Sequence, residues 1–276
     1  MPQGYHPELD ESDELERDDI TMYQELIGIL RWAVEIGRVD ILTELSLLSA
    51  YQASPREGHL ERLIDIFAFI KRKPKVTLYF DPIPARLDEK MFQGNTVEQF
   101  KEYYREAEEE LPHRMPKPRG RGVHMTAFAN ALYAANKVNR RSHTGFIILL
   151  NRAPIMWYSK RQNTVESSTF SSEFIVMKAC MESITAMRFK LPMLGVPLDG
   201  PTDVLCDNKS VVDNTSKIES VLNKKHSSIA YHAVRWAVAA GVMRVGKIDT
   251  AENLADAMTK VLTVAKREIL FGNWTY

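Results

Sequence analysis

Three acidic side chains in this 276-residue chain stand where the local pattern could bring them together: Glu173, Asp207 and Asp256. Glu173 falls in the first turn of a long helical pattern, just after Ser167-Ser168-Thr169. Asp207 closes an apolar run, Val204-Leu205-Cys206, and precedes Asn208, a residue suited to capping a following helix. Asp256 lies in Asn253-Leu254-Ala255-Asp256, on a helical stretch after the last strand-like segment. In open α/β sheets, strand ends and helix starts gather at one edge, where ligands bind. Carboxylates gathered there favour hard cations such as Mg²⁺. Two such ions about 3.5–4 Å apart activate a water and stabilise the leaving oxygen of a phosphodiester. Each acid alone also has a plainer role open to it: complementing a helix dipole, closing a turn, or facing solvent.

The elements that must position these groups begin at Val123. Residues 124–130, 144–150 and 153–159 read as three strands joined by short turns. A long helix over 169–194 follows, with Pro192 near its end. Then come a strand over 203–207, a short helix from Asn208, a helix over 230–240, a strand over 242–247 and a helix from Glu252. Three antiparallel strands followed by alternating helices and strands imply a mixed sheet covered by helices, an α/β fold occupying 123–276.

What precedes is different in character. Residues 1–20 are acidic and polar and read as a disordered tail. Residues 21–82 form a smaller, mainly helical unit, with helices ending near Gly37, at Ser54-Pro55 and before Lys73-Pro74, then a strand over 76–80. Residues 83–122 read as a linker punctuated by Pro84, Pro112, Pro116 and Pro118, with a charged helix over 97–111. Its basic run, Lys117-Pro118-Arg119-Gly120-Arg121-Gly122, suits either a phosphate backbone or a plain interdomain tether.

Composition narrows the class. Hydrophobic residues make up 45% and charged residues 26%, the balance of a globular chain. No apolar run is long enough to cross a bilayer, and no basic-then-apolar leader is present, so no membrane partner is expected. Cys180 and Cys206 give neither a disulfide framework nor finger-type metal spacing, which fits a reducing, intracellular setting, cytoplasmic or nuclear. The zero net charge hides an asymmetry. Residues 1–111 carry 13 basic and 24 acidic groups, net −11, whereas 112–276 carry 23 basic and 12 acidic groups, net +11. The basic half suits an anionic partner or, equally, a solvated lysine-rich surface.

Five strings in order tie these patterns to a known family. They are Arg141-Ser142-His143-Thr144-Gly145-Phe146, Trp157-Tyr158-Ser159-Lys160-Arg161-Gln162, Thr164-Val165-Glu166-Ser167-Ser168-Thr169, Cys206-Asp207-Asn208 and Asn253-Leu254-Ala255-Asp256-Ala257-Met258-Thr259-Lys260. In order and spacing, over about 130 residues, this set resembles the RNase H domain of copia-type LTR retrotransposon Pol polyproteins. The stretch from Tyr23 to Pro82 resembles the reverse transcriptase segment that follows the polymerase palm in the same polyproteins. No aspartate pair in a hydrophobic hairpin marks a palm, and polymerase activity is not expected.

The resemblance implies an RNase H-like mixed five-stranded sheet and two-metal hydrolysis of RNA in RNA–DNA hybrids, with Mg²⁺ or Mn²⁺ held by Glu173, Asp207 and Asp256. The family's first ligand is an aspartate on the first strand that bridges both ions; here that position is Asn130. Leu132 replaces an acid that many members carry two residues on, and Ala135 replaces a glycine. An amide oxygen brings no charge, and removing one group that stabilises a transition state costs about 10²–10³ in rate. The expectation is therefore an impaired nuclease; the alternatives are a non-catalytic nucleic-acid-binding module and a polyprotein fragment without function.

Lys160, Arg161 and Gln162, following a strand, and Lys224, Lys225 and His226, preceding a helix, are candidate contacts to a nucleic-acid backbone. Trp157 and Trp236 read as core residues, and His226 or His232 as a candidate proton shuttle. Partners implied are an RNA–DNA hybrid or other nucleic acid, and the rest of a retroelement polymerase.

Overall fold

A computed structural model describes residues 4–222 and 228–272. Its centre is a five-stranded sheet in the order β3-β2-β1-β4-β5. Strands β1 (Met125–Leu132), β2 (His143–Leu150) and β3 (Ala153–Arg161) form an antiparallel meander, with a register shift between Ile148 and Leu149. Strands β4 (Thr202–Cys206) and β5 (Met243–Lys247) lie parallel to β1, with Ala129 opposite Cys206 and Cys206 opposite Lys247. The expected mixed sheet flanked by helices is thus the observed one.

The period of two in the strands divides the core between the two faces. On one face Met125, Ala127, Ala129, Phe146 and Ile148 meet Phe174, Met177 and Cys180 of the long helix. On the other, Phe128, Ile147, Leu149 and Leu205 meet Met258 and Leu270. Asn130 follows the parity of Phe128 and so belongs to the second face.

Among the described residues four α-helices precede β1 and five follow β3. Helices α1 (Arg17–Glu35), α2 (Leu42–Ser49) and α3 (Glu57–Arg72) form their own small core through Tyr23, Ile27, Leu30, Leu48 and Leu63. After α4 (Val97–Tyr103) come α5 (Thr169–Met193), α6 (Lys209–Ser216), α7 (Ser228–Ala239), α8 (Asp256–Thr259) and α9 (Val264–Phe271). Among the described residues no helix is long and apolar enough to cross a membrane.

The N-terminal third departs from the sequence expectation in three places. The acidic segment expected to be a disordered tail is folded: Leu15 is buried, its N–H bonds to the Pro55 carbonyl at 3.1 Å, and Glu57 N–H bonds to the Asp13 carbonyl at 3.0 Å. His59 fixes this arrangement, because its Nδ1 accepts from Arg56 N–H at 3.1 Å, leaving Nε2–H to donate to the Pro7 carbonyl at 2.8 Å. Composition could not reveal it, since a few buried groups (Pro7, Leu15) inside an acidic stretch outweigh the average.

Secondly, among the described residues 76–80 forms no strand of the sheet, only a single bridge position at Leu78, and the charged helix stops at Tyr103 rather than continuing to 111. Thirdly, the expected linker is anchored at several points. Phe100 is fully buried in the main core, Asn95 N–H bonds to the Ser216 carbonyl at 2.7 Å, and Glu109 forms a two-oxygen ion pair with the largely buried Arg188. The small helical unit is welded on as well: Thr43 Oγ1 donates to the Ala257 carbonyl at 2.6 Å, and Ser46 Oγ to the Ser159 carbonyl at 2.7 Å. The acidic half of the sequence therefore lies folded against the basic half, through Glu44–Arg267, Glu89–Arg244 and Glu109–Arg188.

A carboxylate edge closed by lysines

The C-terminal ends of β1 and β4 are neighbours, so Asn130 and Asp207 reach the same sheet edge. Helix α5 brings Glu173 to that edge from one face. Its N-cap, Ser168, accepts from Ser171 N–H, and Glu173 falls just beyond the first turn rather than within it. Short helix α8 brings Asp256 from the other face. Asn253 positions that helix: its amide donates to the Ala129 carbonyl at 3.1 Å and its Oδ1 accepts from Ala255 N–H at 3.1 Å. Gly145, paired with Asn130 across β1 and β2, permits the approach. A Cβ there would stand 2.6 Å from Met258 Cβ and 2.8 Å from its backbone carbon.

Asn130 and Asp256 touch. The Asn130 amide Nδ2 donates to Asp256 Oδ1 at 2.5 Å and to Thr259 Oγ1 at 3.2 Å. Lys260 Nζ also reaches Asp256 Oδ1, at 2.8 Å, and Lys266 Nζ reaches Oδ2 at 2.9 Å. With both oxygens of Asp256 facing cations and donors, the amide is fixed with its NH₂ inward, because the flipped form would set two acceptors against each other.

Glu173 is the opposite case. It is 7% exposed; one carboxylate oxygen takes the Ala131 N–H, while Oε2 is buried without a hydrogen-bond partner. Burial, then the nearby Asp207 charge, push its carboxyl up to about 8, with Asp256 adding to the effect. The three sequence-predicted acids therefore share one electrostatic neighbourhood. Asp207 and Glu173 also act on Cys206 beneath them, whose thiol is held well above its usual range chiefly by burial.

A two-ion centre needs anionic oxygens shared between the cations. This chain offers Glu173 Oε2 and Asp207, but Asp256 is taken by two ammonium groups and Asn130 presents a donor. Among the described residues, no three of His, Cys, Asp and Glu stand together in an arrangement that could hold a metal ion. The residues present do not fit two divalent cations in this arrangement.

The predicted nucleic-acid contacts separate. Lys160 is exposed and Arg161 half-buried at the end of edge strand β3. Gln162 turns inward instead: its amide donates to Thr144 Oγ1 at 3.1 Å and to the Ser172 carbonyl at 3.0 Å, tying β3 to the start of α5. Lys224, Lys225 and His226 lie outside the described residues. Trp157 packs between two cores as expected, whereas Trp236 is 39% exposed on α7. His232, the other shuttle candidate, bonds the Tyr104 hydroxyl at 2.9 Å on α7. Lys266 escaped sequence reasoning because it lies outside every quoted string and meets Asp256 only through the turn between α8 and α9.

The strand order, the helices on both faces and the acidic edge define an RNase H-like α/β domain. Its homologues are copia-type Pol polyproteins of plants, at about a quarter identity over most of the chain. It is 25% identical over 245 residues to the retrovirus-related Pol polyprotein from transposon RE1 of Arabidopsis thaliana, covering 89% of this chain and 14% of that protein. The corresponding polyprotein from transposon RE2 of the same plant is 23% identical over 262 residues, covering 95% of this chain and 15% of that protein. Among solved structures, the N-terminal RNase H domain of a Mycobacterium tuberculosis protein is similar at 15% identity and a TM-score of 0.38, covering 55% of this chain and 99% of that one. No family model matches the chain.

Proposed function

We propose that this chain is a retrotransposon-derived RNase H-like domain that binds RNA–DNA hybrid and hydrolyses it weakly or not at all with Mg²⁺. The observation that carries the reading is the Asn130 amide bonded at 2.5 Å to Asp256, whose remaining capacity is taken by Lys260 and Lys266. A second carboxylate at 130 would repel Asp256 and call for a cation between them; an amide removes the repulsion and the need together. The site keeps its shape while its charge is balanced from within.

Binding does not require the missing carboxylate. Residues 112–276 carry net +11, and Lys160 and Arg161 stand at the sheet's edge. The test is equilibrium binding of a labelled hybrid in chelator across salt concentrations. Affinity should fall steeply with salt, since each neutralised phosphate contributes about −0.9 to the slope of log K against log salt for a duplex. Salt-independent affinity, or affinity appearing only with a divalent cation, would overturn the reading.

A further inference from the structure

Where β1 leaves the sheet, residues 133–142 turn back into β2 as a tightly bonded loop. Asn136 organises it, its Oδ1 accepting from Val138 and Asn139 N–H at 3.1 and 2.8 Å, while Ser142 Oγ accepts from Ala134 N–H at 3.0 Å. Beneath this loop lies a cavity of about 350 Å³, walled by the end of α2, the end of β3, the residues after α8 and the N-terminal segment. That volume is in the range of small-molecule sites, about 300–1,000 Å³.

The lining is cationic and aromatic. Lys137, Arg141, Arg161 and Lys260 contribute four positive groups against one acid, Glu8, and Tyr5, Tyr51 and Tyr133 supply rings. Among the described residues neither Arg141 nor Arg161 has a carboxylate within ion-pair distance; Arg161 shares a hydrogen bond with the Tyr51 hydroxyl. Glu8 is already engaged, accepting the Lys137 backbone N–H at 2.7 Å and pairing with His6 at 3.1 Å. Two half-buried guanidinium groups without an anion beside a tyrosine-lined hollow leave a charge to be matched. Leu132 and Ala135, the two residues noted in the sequence beside Asn130, both face this cavity.

We propose that the cavity binds one nucleotide unit as its phosphate ester, the phosphate between Arg141 and Arg161 and the base against the tyrosines. Guanidinium groups match phosphate oxygens in paired, charge-assisted bonds, and bases stack on aromatic rings with little sequence preference. The ligand is a free mononucleotide or the phosphorylated end of a strand. Lys260 joins the cavity to Asp256, and Thr259 joins it to Asn130, so an anion bound here sits beside the carboxylate edge. The inference does not depend on whether that edge cleaves.

The test uses the full chain with adenosine 5′-monophosphate, adenosine and inorganic phosphate, titrated calorimetrically at low salt. The monophosphate should bind saturably, and adenosine or phosphate alone about tenfold or more weaker, each lost contact of about 1.4 kcal/mol being tenfold. Arg141→Gln with Arg161→Gln should weaken binding by about tenfold or more. Ala135→Glu, which sets a carboxylate in the cavity wall, should abolish binding even where the arginine variant does not fold. Short strands with a 5′-phosphate or a 5′-hydroxyl separate the two sources: tighter binding of the phosphorylated strand than of the mononucleotide assigns a strand end, the reverse a free nucleotide. No saturable binding of the monophosphate, or binding that Ala135→Glu leaves unchanged, overturns the proposal.

Discussion

Replacing Asn130 by Asp should destabilise the metal-free protein and make it respond to divalent cations. The substitution removes a donor that bonds Asp256 Oδ1 at 2.5 Å. A hydrogen bond to a charged group is worth about 1.5–3 kcal/mol. It also places a second carboxylate beside the first, and two unit charges about 4 Å apart repel by about 4 kcal/mol at the effective dielectric of such sites. Lys260 and Lys266, both bonded to Asp256, offset much of that repulsion. The net loss should be about 3 kcal/mol, lowering Tm by roughly 6–12 °C for a chain of this size. Differential scanning calorimetry in chelator reads this directly. Adding Mg²⁺ or Mn²⁺ should restore about 2.7 kcal/mol at a hundredfold excess over Kd in the variant, with little gain in the unaltered chain. A variant melting within about 2 °C of the parent in chelator, or an equal Mg²⁺ gain in both, would show that the Asn130–Asp256 contact does not balance the site.

Two further outcomes follow from the same edge. Gly145→Ala should cost about 1–3 kcal/mol or more, since its Cβ would stand 2.8 Å from the Met258 backbone and must displace α8; chemical denaturation reads it, and an unchanged midpoint would mean α8 does not rest there as described. Glu173, held at about 8 against its ordinary 4.5, favours the fold while protonated, and that advantage is lost as pH rises from about 4.5 through about 8. Glu173→Gln should therefore be the more stable protein by on the order of 3 kcal/mol at neutral pH, with the difference vanishing near pH 4; parallel pH profiles for the two proteins would contradict the assignment.

Much of the sheet was legible because its strands alternate or run apolar between turn residues. The boundaries of β2 and β5 lie within one residue of those read from pattern, and Asn208 caps α6 as its type suggested. The placement of the acids along the chain was legible for a different reason: ordered motifs set one near the start of α5, one directly after β4 and one at the start of α8. What was hidden depends on contacts far apart in sequence. Periodicity in α2 says that one face is apolar, not that Thr43 will bond Ala257 across 214 residues. Gln162 sits beside two exposed or half-exposed cations in sequence yet points inward, because its side chain satisfies Thr144 and the end of the Ser168–Ser172 turn. Lys266 carries no motif at all, and its role appears only where α9 folds back over Asp256.

The most direct test of the central claim is cleavage of an end-labelled RNA–DNA hybrid by the full chain in Mg²⁺, beside Asn130→Asp carrying Lys266→Ala to free Asp256 Oδ2. The account predicts cleavage by the unaltered chain at least about 10²-fold below the doubly substituted protein, the loss expected for one stabilising group. Cleavage by the unaltered chain at turnover typical of enzymes, about 1 s⁻¹ or faster and abolished by Glu173→Gln, would contradict it.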